Sequence, residues 1–138
     1  MKLTKRHRAN LRKHAKFLPT QAVQSKFSMM HFASDGRGDR IRSVCDVHDC
    51  GTVMCSLGYA ALCFPRIAKK YRGDWGGFCK EIFGICINED YNEWFFLFGA
   101  RWSQIDNTIT GAADRITYFL KYGVPDDCWN PEVYRRAS

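Results

Sequence analysis

The sequence predicts an all-α fold, a single compact domain of about five helices around one buried central helix. Several segments repeat apolar residues at the three- and four-residue spacing of a helix. Residues that typically begin and end helices stand at the borders of these segments. No long stretch alternates apolar and polar residues, and no Asn-Gly or Asp-Gly turn joins two such stretches. With 138 residues, 46% of them hydrophobic, the chain is long enough to bury a core.

The first helix is predicted over residues 8–18, where Leu11, Ala15 and Leu18 share one face. Pro19 is expected to end it. We expect three parts in the chain: a basic arm over residues 1–16 that overlaps this helix, a helical domain over 8–127 and a tail over 128–138.

The central helix is predicted over residues 52–63, with Thr52 as its N-terminal cap. Apolar residues cover most of its circumference, which is typical of a buried helix. Gly58 lowers helix propensity, so we expect it to permit close packing by a neighbouring segment. Pro65 should follow the end of this helix.

A further helix is predicted over residues 75–83. Asp74 stands at its N-terminal cap, and Gly84 stands where a left-handed residue usually ends a helix.

Two more helical segments follow. Residues 91–98 are rich in aromatic residues and precede Gly99. The last helix is predicted over 111–122, with Thr110 as its cap and Gly123 at its end.

Charge is distributed unevenly along the chain. Residues 1–16 contain seven cations and no acid, which accounts for the whole net charge of +7. Such a segment could neutralise the phosphates of nucleic acid, so nucleic-acid binding is one alternative function. The residues that would carry it are Lys2, Lys5, Arg6, Arg8, Arg12, Lys13 and Lys16.

The same composition argues against a membrane partner. The basic segment has few bulky apolar residues to insert into a lipid surface. We expect no export signal, because the basic start is not followed by an apolar run, and no span of roughly 20 apolar residues. We therefore expect the seven cysteines to be reduced thiols in a cytoplasm.

Thiol and imidazole groups cluster before the central helix. Cys45, His48, Cys50 and Cys55 give the pattern C-x2-H-x-C-x4-C, whose side chains are ligands that zinc prefers. The spacing is irregular for a zinc site, and a buried free cysteine is the commoner situation. We therefore expect no cofactor, with zinc as the alternative.

The same cysteines raise the possibility of thiol catalysis. A cysteine at a helix start, such as Cys50, has its thiolate favoured by the helix dipole. The expected base is absent after Cys50, because the four histidines all lie at or before His48. The sequence thus favours binding over catalysis, with a cysteine-dependent activity at Cys50 and Cys55 as the alternative.

Four stretches together resemble a group of small, largely uncharacterised phage and prophage proteins. They are NLRKHAKFL, FSMMHF, CGTVMCSLGYAA and WFFLFGARWSQIDNTITGAADRITYFLKYGVPDD, which span most of residues 10–127. The group carries a CGTxxCxxGxA stretch and a DNTP-like turn before an AAxRIxYxL helix, and Ile109 replaces the proline of that turn here. The resemblance implies a phage accessory protein that acts in the bacterial host cytoplasm.

The first functional hypothesis is accordingly a non-catalytic binding module of phage type. Its partner would be a host protein or a small nucleotide signal, such as one used in defence. A nucleotide requires arginines and aromatic rings facing a pocket, and the candidate residues are Arg101, Trp102 and Arg115.

Overall fold

The fold is all-α, as the sequence predicts, and the described residues also include one very small sheet. The computed structural model describes residues 3–34, 40–41, 43–47 and 53–135. Its helices are α1 (Lys5–Gln21), α2 (Ser56–Cys63), α3 (Pro65–Ala68), α4 (Trp75–Phe83), α5 (Tyr91–Phe98), α6 (Trp102–Ile105), α7 (Ile109–Tyr122) and α8 (Pro131–Arg135). Five of them have eight or more residues, which matches the predicted number.

Short elements connect these helices. Single 3-10 turns lie at Gln24–Lys26 and Val44–Asp46. Strands β1 (Ala33–Ser34) and β2 (Val53–Met54) form an antiparallel pair in which Ala33 faces Met54. This pair was not predicted, because two-residue strands are too short to show an alternating pattern.

Helix α1 is longer than predicted at both ends. It begins at Lys5, where the Thr4 hydroxyl accepts a hydrogen bond from the His7 amide at 3.1 Å. It also continues past Pro19, the residue predicted to end it. Proline here removes only one donor near the helix terminus. The Thr20 hydroxyl donates to the Lys16 and Phe17 carbonyls at 3.1 Å and supports the last turn.

The central helix begins later than predicted. Val53 and Met54 are extended in β2, and helix α2 starts at Ser56 with Cys55 as its cap. Pairing with β1 and a bond from the Cys55 amide to the Phe32 carbonyl, at 3.2 Å, hold this lead-in extended. Thr52, the predicted cap, lies outside the described residues.

The burial of this helix and the role of Gly58 are confirmed. Every α2 residue except Leu62 is buried. A Cβ atom at Gly58 would overlap the backbone carbonyl oxygen of Phe32. The glycine therefore lets β1 and its lead-in approach the helix closely.

Two other helix boundaries test the predicted caps. Asp74 caps α4, because its Oδ1 accepts from the Gly77 amide at 2.7 Å. The predicted cap of α7, Thr110, is wrong by two residues: Thr108 caps it and accepts from the Gly111 amide at 3.0 Å. The predicted ends are confirmed, since Gly84 and Gly123 have φ angles of 72° and 78°.

Helix α1 packs into the body along its length. The Arg8 guanidinium donates to the Leu120 carbonyl on α7, and the Asn10 amide donates to the Ile82 carbonyl on α4 at 2.8 Å. The buried His14 ring contacts the Ser56 carbonyl at 2.7 Å through Nε2. The predicted basic arm is thus largely the outer face of a packed helix.

The segment predicted as a tail contains helix α8. Its Tyr134 is fully buried, and α8 contacts α7. Among the described residues, no helix has both the length and the apolar character to cross a membrane.

Candidate ligand-binding pocket

An open cavity of about 570 Å³ lies beside β1 and α5. Its walls come from three parts of the chain: residues 29–33 with 40–41, residues 73 and 75 before and at the start of α4, and residues 94, 95 and 98–100. Its volume falls within the roughly 300–1,000 Å³ range of pockets that take small ligands.

Aromatic rings form the floor of this pocket. The Phe32 ring lies 5.3 Å from the Trp75 ring and 5.9 Å from the Trp94 ring, measured between centroids. Trp94 in turn packs on Phe98 at 5.8 Å. The Trp75 indole N–H donates to the Ile41 carbonyl at 3.4 Å, which ties the ring to the neighbouring segment. These contacts fix the positions of the rings before any ligand is bound.

The rim of the pocket combines apolar and polar groups. Met30 and Phe95 are 55% and 46% exposed, so both offer apolar surface to a ligand. His31 and Arg40 add hydrogen-bond donors beside them. Arg40 is exposed and pairs with Ser34 through an isolated antiparallel bridge, so its backbone is anchored to β1.

The three residues predicted to bind a ligand occupy another region. The Arg115 guanidinium stacks on the Trp102 ring at 4.0 Å, and Trp102 lies 4.9 Å from the Trp129 ring. Arg101 lies over the other ring of this pair, Trp129, at 4.8 Å. The structure therefore brings all three together, but Trp102 and Arg115 have no exposed surface and do not line the pocket. A ligand would reach only Arg101 without a rearrangement.

Arg115 belongs to a buried polar cluster. Its Nη1 donates to the Tyr134 hydroxyl at 3.0 Å and lies 3.7 Å from Asp106 Oδ2. Tyr134 and Thr108 both donate to the Asp106 carboxylate, Thr108 at 2.6 Å, and Arg135 lies 3.6 Å from it. The cluster joins α7, α8 and the turn between α6 and α7.

The same contacts set the charge states in the cluster. Burial opposes ionisation of Asp106, but the hydrogen bonds from Thr108 and Tyr134, with the two arginine charges, lower its pKa below the usual value. Burial also lowers the pKa of the Arg115 guanidinium, while Tyr134 and Asp106 counteract that effect. Asp106 therefore acts as the buried counterion of Arg115, a role that its sequence position in a turn did not indicate.

The predicted zinc ligands are only partly described. His48 and Cys50 lie outside the described residues, while Cys45 is half-buried and Cys55 is buried. The Cys55 sulfur accepts a hydrogen bond from the Gly58 amide at 3.5 Å, as the cap of α2. Burial raises the pKa of the Cys55 thiol to about 11, so it is protonated at neutral pH. Nucleophilic attack requires the thiolate, so this protonation state disfavours Cys55 as a nucleophile.

Within the described parts of the chain, no three His, Cys, Asp or Glu side chains are grouped to hold a metal ion. A zinc site that includes His48 and Cys50 stays a prediction. Metal retained by the purified protein in native mass spectrometry would support it.

The predicted nucleic-acid residues lie on α1 and just before it. Lys5, Arg6, Arg12, Lys13 and Lys16 are exposed, whereas Arg8 is half-buried against α7. Lys2 lies outside the described residues.

The pocket residues cannot be recognised in the sequence, because their apolar pattern is the same as that of core residues. Trp75 and Trp94 occupy apolar positions of their helices, and only tertiary packing shows that they border a cavity. Comparison of this chain with known protein families, curated proteins and solved structures finds no match.

Proposed function

We propose that this protein is a phage-type accessory binding protein that takes a planar, anionic small molecule of the nucleotide class into the pocket beside β1 and α5. The observation that carries the proposal is a ring-floored cavity with Arg40 and His31 at its rim. The sequence resemblance to phage and prophage proteins favours a host signal as the ligand, met in the bacterial cytoplasm.

The chemistry of the walls suits the two halves of a nucleotide. A base can pack against the indole and phenyl rings, since aromatic faces stack in offset or tilted geometry. A phosphate can accept hydrogen bonds from the Arg40 guanidinium, whose planar fork matches anionic oxygens. Phe95 at the rim can cover the bound base, because nearly half of its side chain is exposed.

The test is a thermal-shift and tryptophan-fluorescence panel of mononucleotides, cyclic nucleotides and cyclic dinucleotides. A ligand at about 100 times its Kd should stabilise the protein by about 2.7 kcal/mol and raise its Tm by several degrees. Binding should also change the emission of Trp75 or Trp94, because both indoles border the cavity.

Matched variants locate the site. Phe95→Asn and Arg40→Gln should each weaken binding at least tenfold. Tyr122→Asn and Arg66→Gln should not, since they alter an exposed aromatic residue and an exposed arginine away from the pocket. A nucleoside without phosphate that binds as tightly as its nucleotide would contradict the role of Arg40. A complete panel without any shift would overturn the nucleotide proposal.

A host protein is the competing ligand for the same pocket. In that case an apolar side chain of the partner would enter between Met30 and Phe95. A pull-down from host lysate that is lost in Phe95→Asn, together with a negative nucleotide panel, would assign the pocket to a protein instead.

A further inference from the structure

We infer that the exposed face of α1 is a second, independent binding surface for the phosphate backbone of duplex nucleic acid. It rests on different residues from the pocket, because no α1 side chain borders that cavity. The two proposals can therefore fail separately.

Helical geometry gathers the cations on one face. Lys5, Arg12 and Lys16 are separated by seven and four residues, so they align along one line of the helix, and Lys13 lies next to Arg12. All four side chains are exposed. The opposite face is fixed by burial of Leu11, His14 and Leu18, which prevents α1 from rotating the cations away from solvent.

Few acids neutralise this face. Helix α1 contains no acidic residue. The Arg6 charge interacts with the Glu81 carboxylate, which also pairs with Lys70 at 3.6 Å. Because Glu81 partly neutralises Arg6, the proposed surface does not include Arg6. Within the described residues, Lys5, Arg12, Lys13 and Lys16 form no ion pair within 4.0 Å.

The dimensions match a nucleic-acid strand. From residue 5 to residue 16 a helix rises about 16 Å, at 1.5 Å per residue. Each of the two strands of a duplex presents a phosphate about every 3.4 Å along the axis and winds around it, so the phosphates that the long side chains can reach over that length belong to both strands. Four cations can each meet a different phosphate.

The chemistry of the face selects duplex over other polyanions. Proteins usually hold single strands with exposed aromatic rings on which the bases stack. The aromatic ring of α1, Phe17, is half-buried against His14, so it does not offer such a platform. A lipid surface would need bulky apolar groups between the cations, where α1 exposes only Ala9. Binding through phosphates alone predicts no sequence preference.

The test measures fluorescence anisotropy of a labelled 20-base-pair duplex with the full chain between 50 and 200 mM NaCl. Four phosphate contacts should give a log–log salt slope of about −3.6, a loss of about 150-fold in affinity over that range. Arg12→Gln/Lys16→Gln should reduce the slope to about −1.8 and the loss to about 12-fold. Lys26→Gln/Arg72→Gln removes the same charge away from α1 and should leave the slope unchanged.

Three outcomes would overturn the inference: no binding at 50 mM NaCl, an equal change of slope in both double variants, or a sequence-dependent affinity. Competition with polyglutamate and with anionic phosphatidylglycerol vesicles extends the test. If either competitor displaces the labelled duplex as well as unlabelled duplex does at equal charge, the face binds acidic proteins or membranes, and the inference is also overturned. Unchanged circular dichroism melting curves control for folding of the variants. Phe95→Asn should bind duplex normally.

Discussion

Replacing Asp106 by Asn isolates the energetic role of the buried cluster. The substitution keeps the size of the side chain and leaves oxygen and nitrogen atoms to meet Thr108 and Tyr134. It removes the negative charge that lies 3.7 Å from the Arg115 guanidinium. Arg115 then remains in the core as a cation without its buried counterion, and the Tyr134 hydroxyl at 3.0 Å and the face of the Trp102 ring are left to compensate it.

The structure sets the size of the effect. At 3.7 Å and an effective dielectric constant of 20, two unit charges attract by about 4.5 kcal/mol. The contact with Arg135 adds little, because that side chain is 51% exposed and solvent screens its charge. Breaking one side of a buried pair costs about 3–5 kcal/mol in other proteins. We expect Asp106→Asn to cost about 3–4 kcal/mol and to lower the Tm by about 10 °C.

Urea unfolding followed by circular dichroism measures this cost, and a double-mutant cycle assigns it. The double variant Asp106→Asn/Arg115→Met should lose at least about 2 kcal/mol less than the sum of the single variants, because it leaves no unpaired charge. A single-variant cost below about 1 kcal/mol, or strict additivity, would refute the assignment of Asp106 as counterion.

The lowered pKa of Asp106 also predicts the direction in which the stabilisation by this residue changes with pH. Its pKa is lower in the folded protein than in the unfolded chain, so its stabilisation is present above pH 4 and is lost as the pH falls. The difference between the native protein and Asp106→Asn should therefore shrink below pH 4.

Two further predictions concern helix α2 and its neighbours. Burial lowers the pKa of His14 to about 4 from 6.5, so the unfolded chain binds more protons than the folded protein between these pH values. The free energy of unfolding should therefore rise by on the order of 3 kcal/mol from pH 4 to pH 6.5. His14→Gln should flatten this rise in urea titrations, and an unchanged pH profile in the variant would contradict the role of His14. Gly58→Ala should cost about 1–3 kcal/mol, because its methyl group would overlap the Phe32 carbonyl, and a Tm equal to that of the native protein would show that β1 does not press on α2.

Local chemistry explains which parts of the fold were predictable. The caps at Asp74, Gly84 and Gly123 follow from short-range geometry that neighbouring residues determine. The burial of α2 followed from its apolar circumference. The position of its start did not, because Val53 and Met54 are held extended by a partner strand about 20 residues earlier in the chain.

The candidate sites divide in the same way. The cationic face of α1 was visible in the sequence, since it needs only composition and helical spacing. Pairing of Asp106 with Arg115 and Tyr134 was not, because Tyr134 is 28 residues away and belongs to a segment predicted as a tail. Sequence also cannot distinguish Trp75 or Trp94 in a pocket wall from the same residues in a core.

The packing of α1 on α7 has a consequence for biosynthesis. The Arg8 side chain meets the Leu120 carbonyl across 112 positions of the chain. Because a ribosome releases the amino-terminal end first, Leu11 and Leu18 must wait for nearly the whole polypeptide to emerge before α7 shields them. Until then the apolar face of α1 is exposed on the nascent chain. Ribosome-bound fragments that stop before residue 109 should therefore recruit holdase chaperones more strongly than the complete protein.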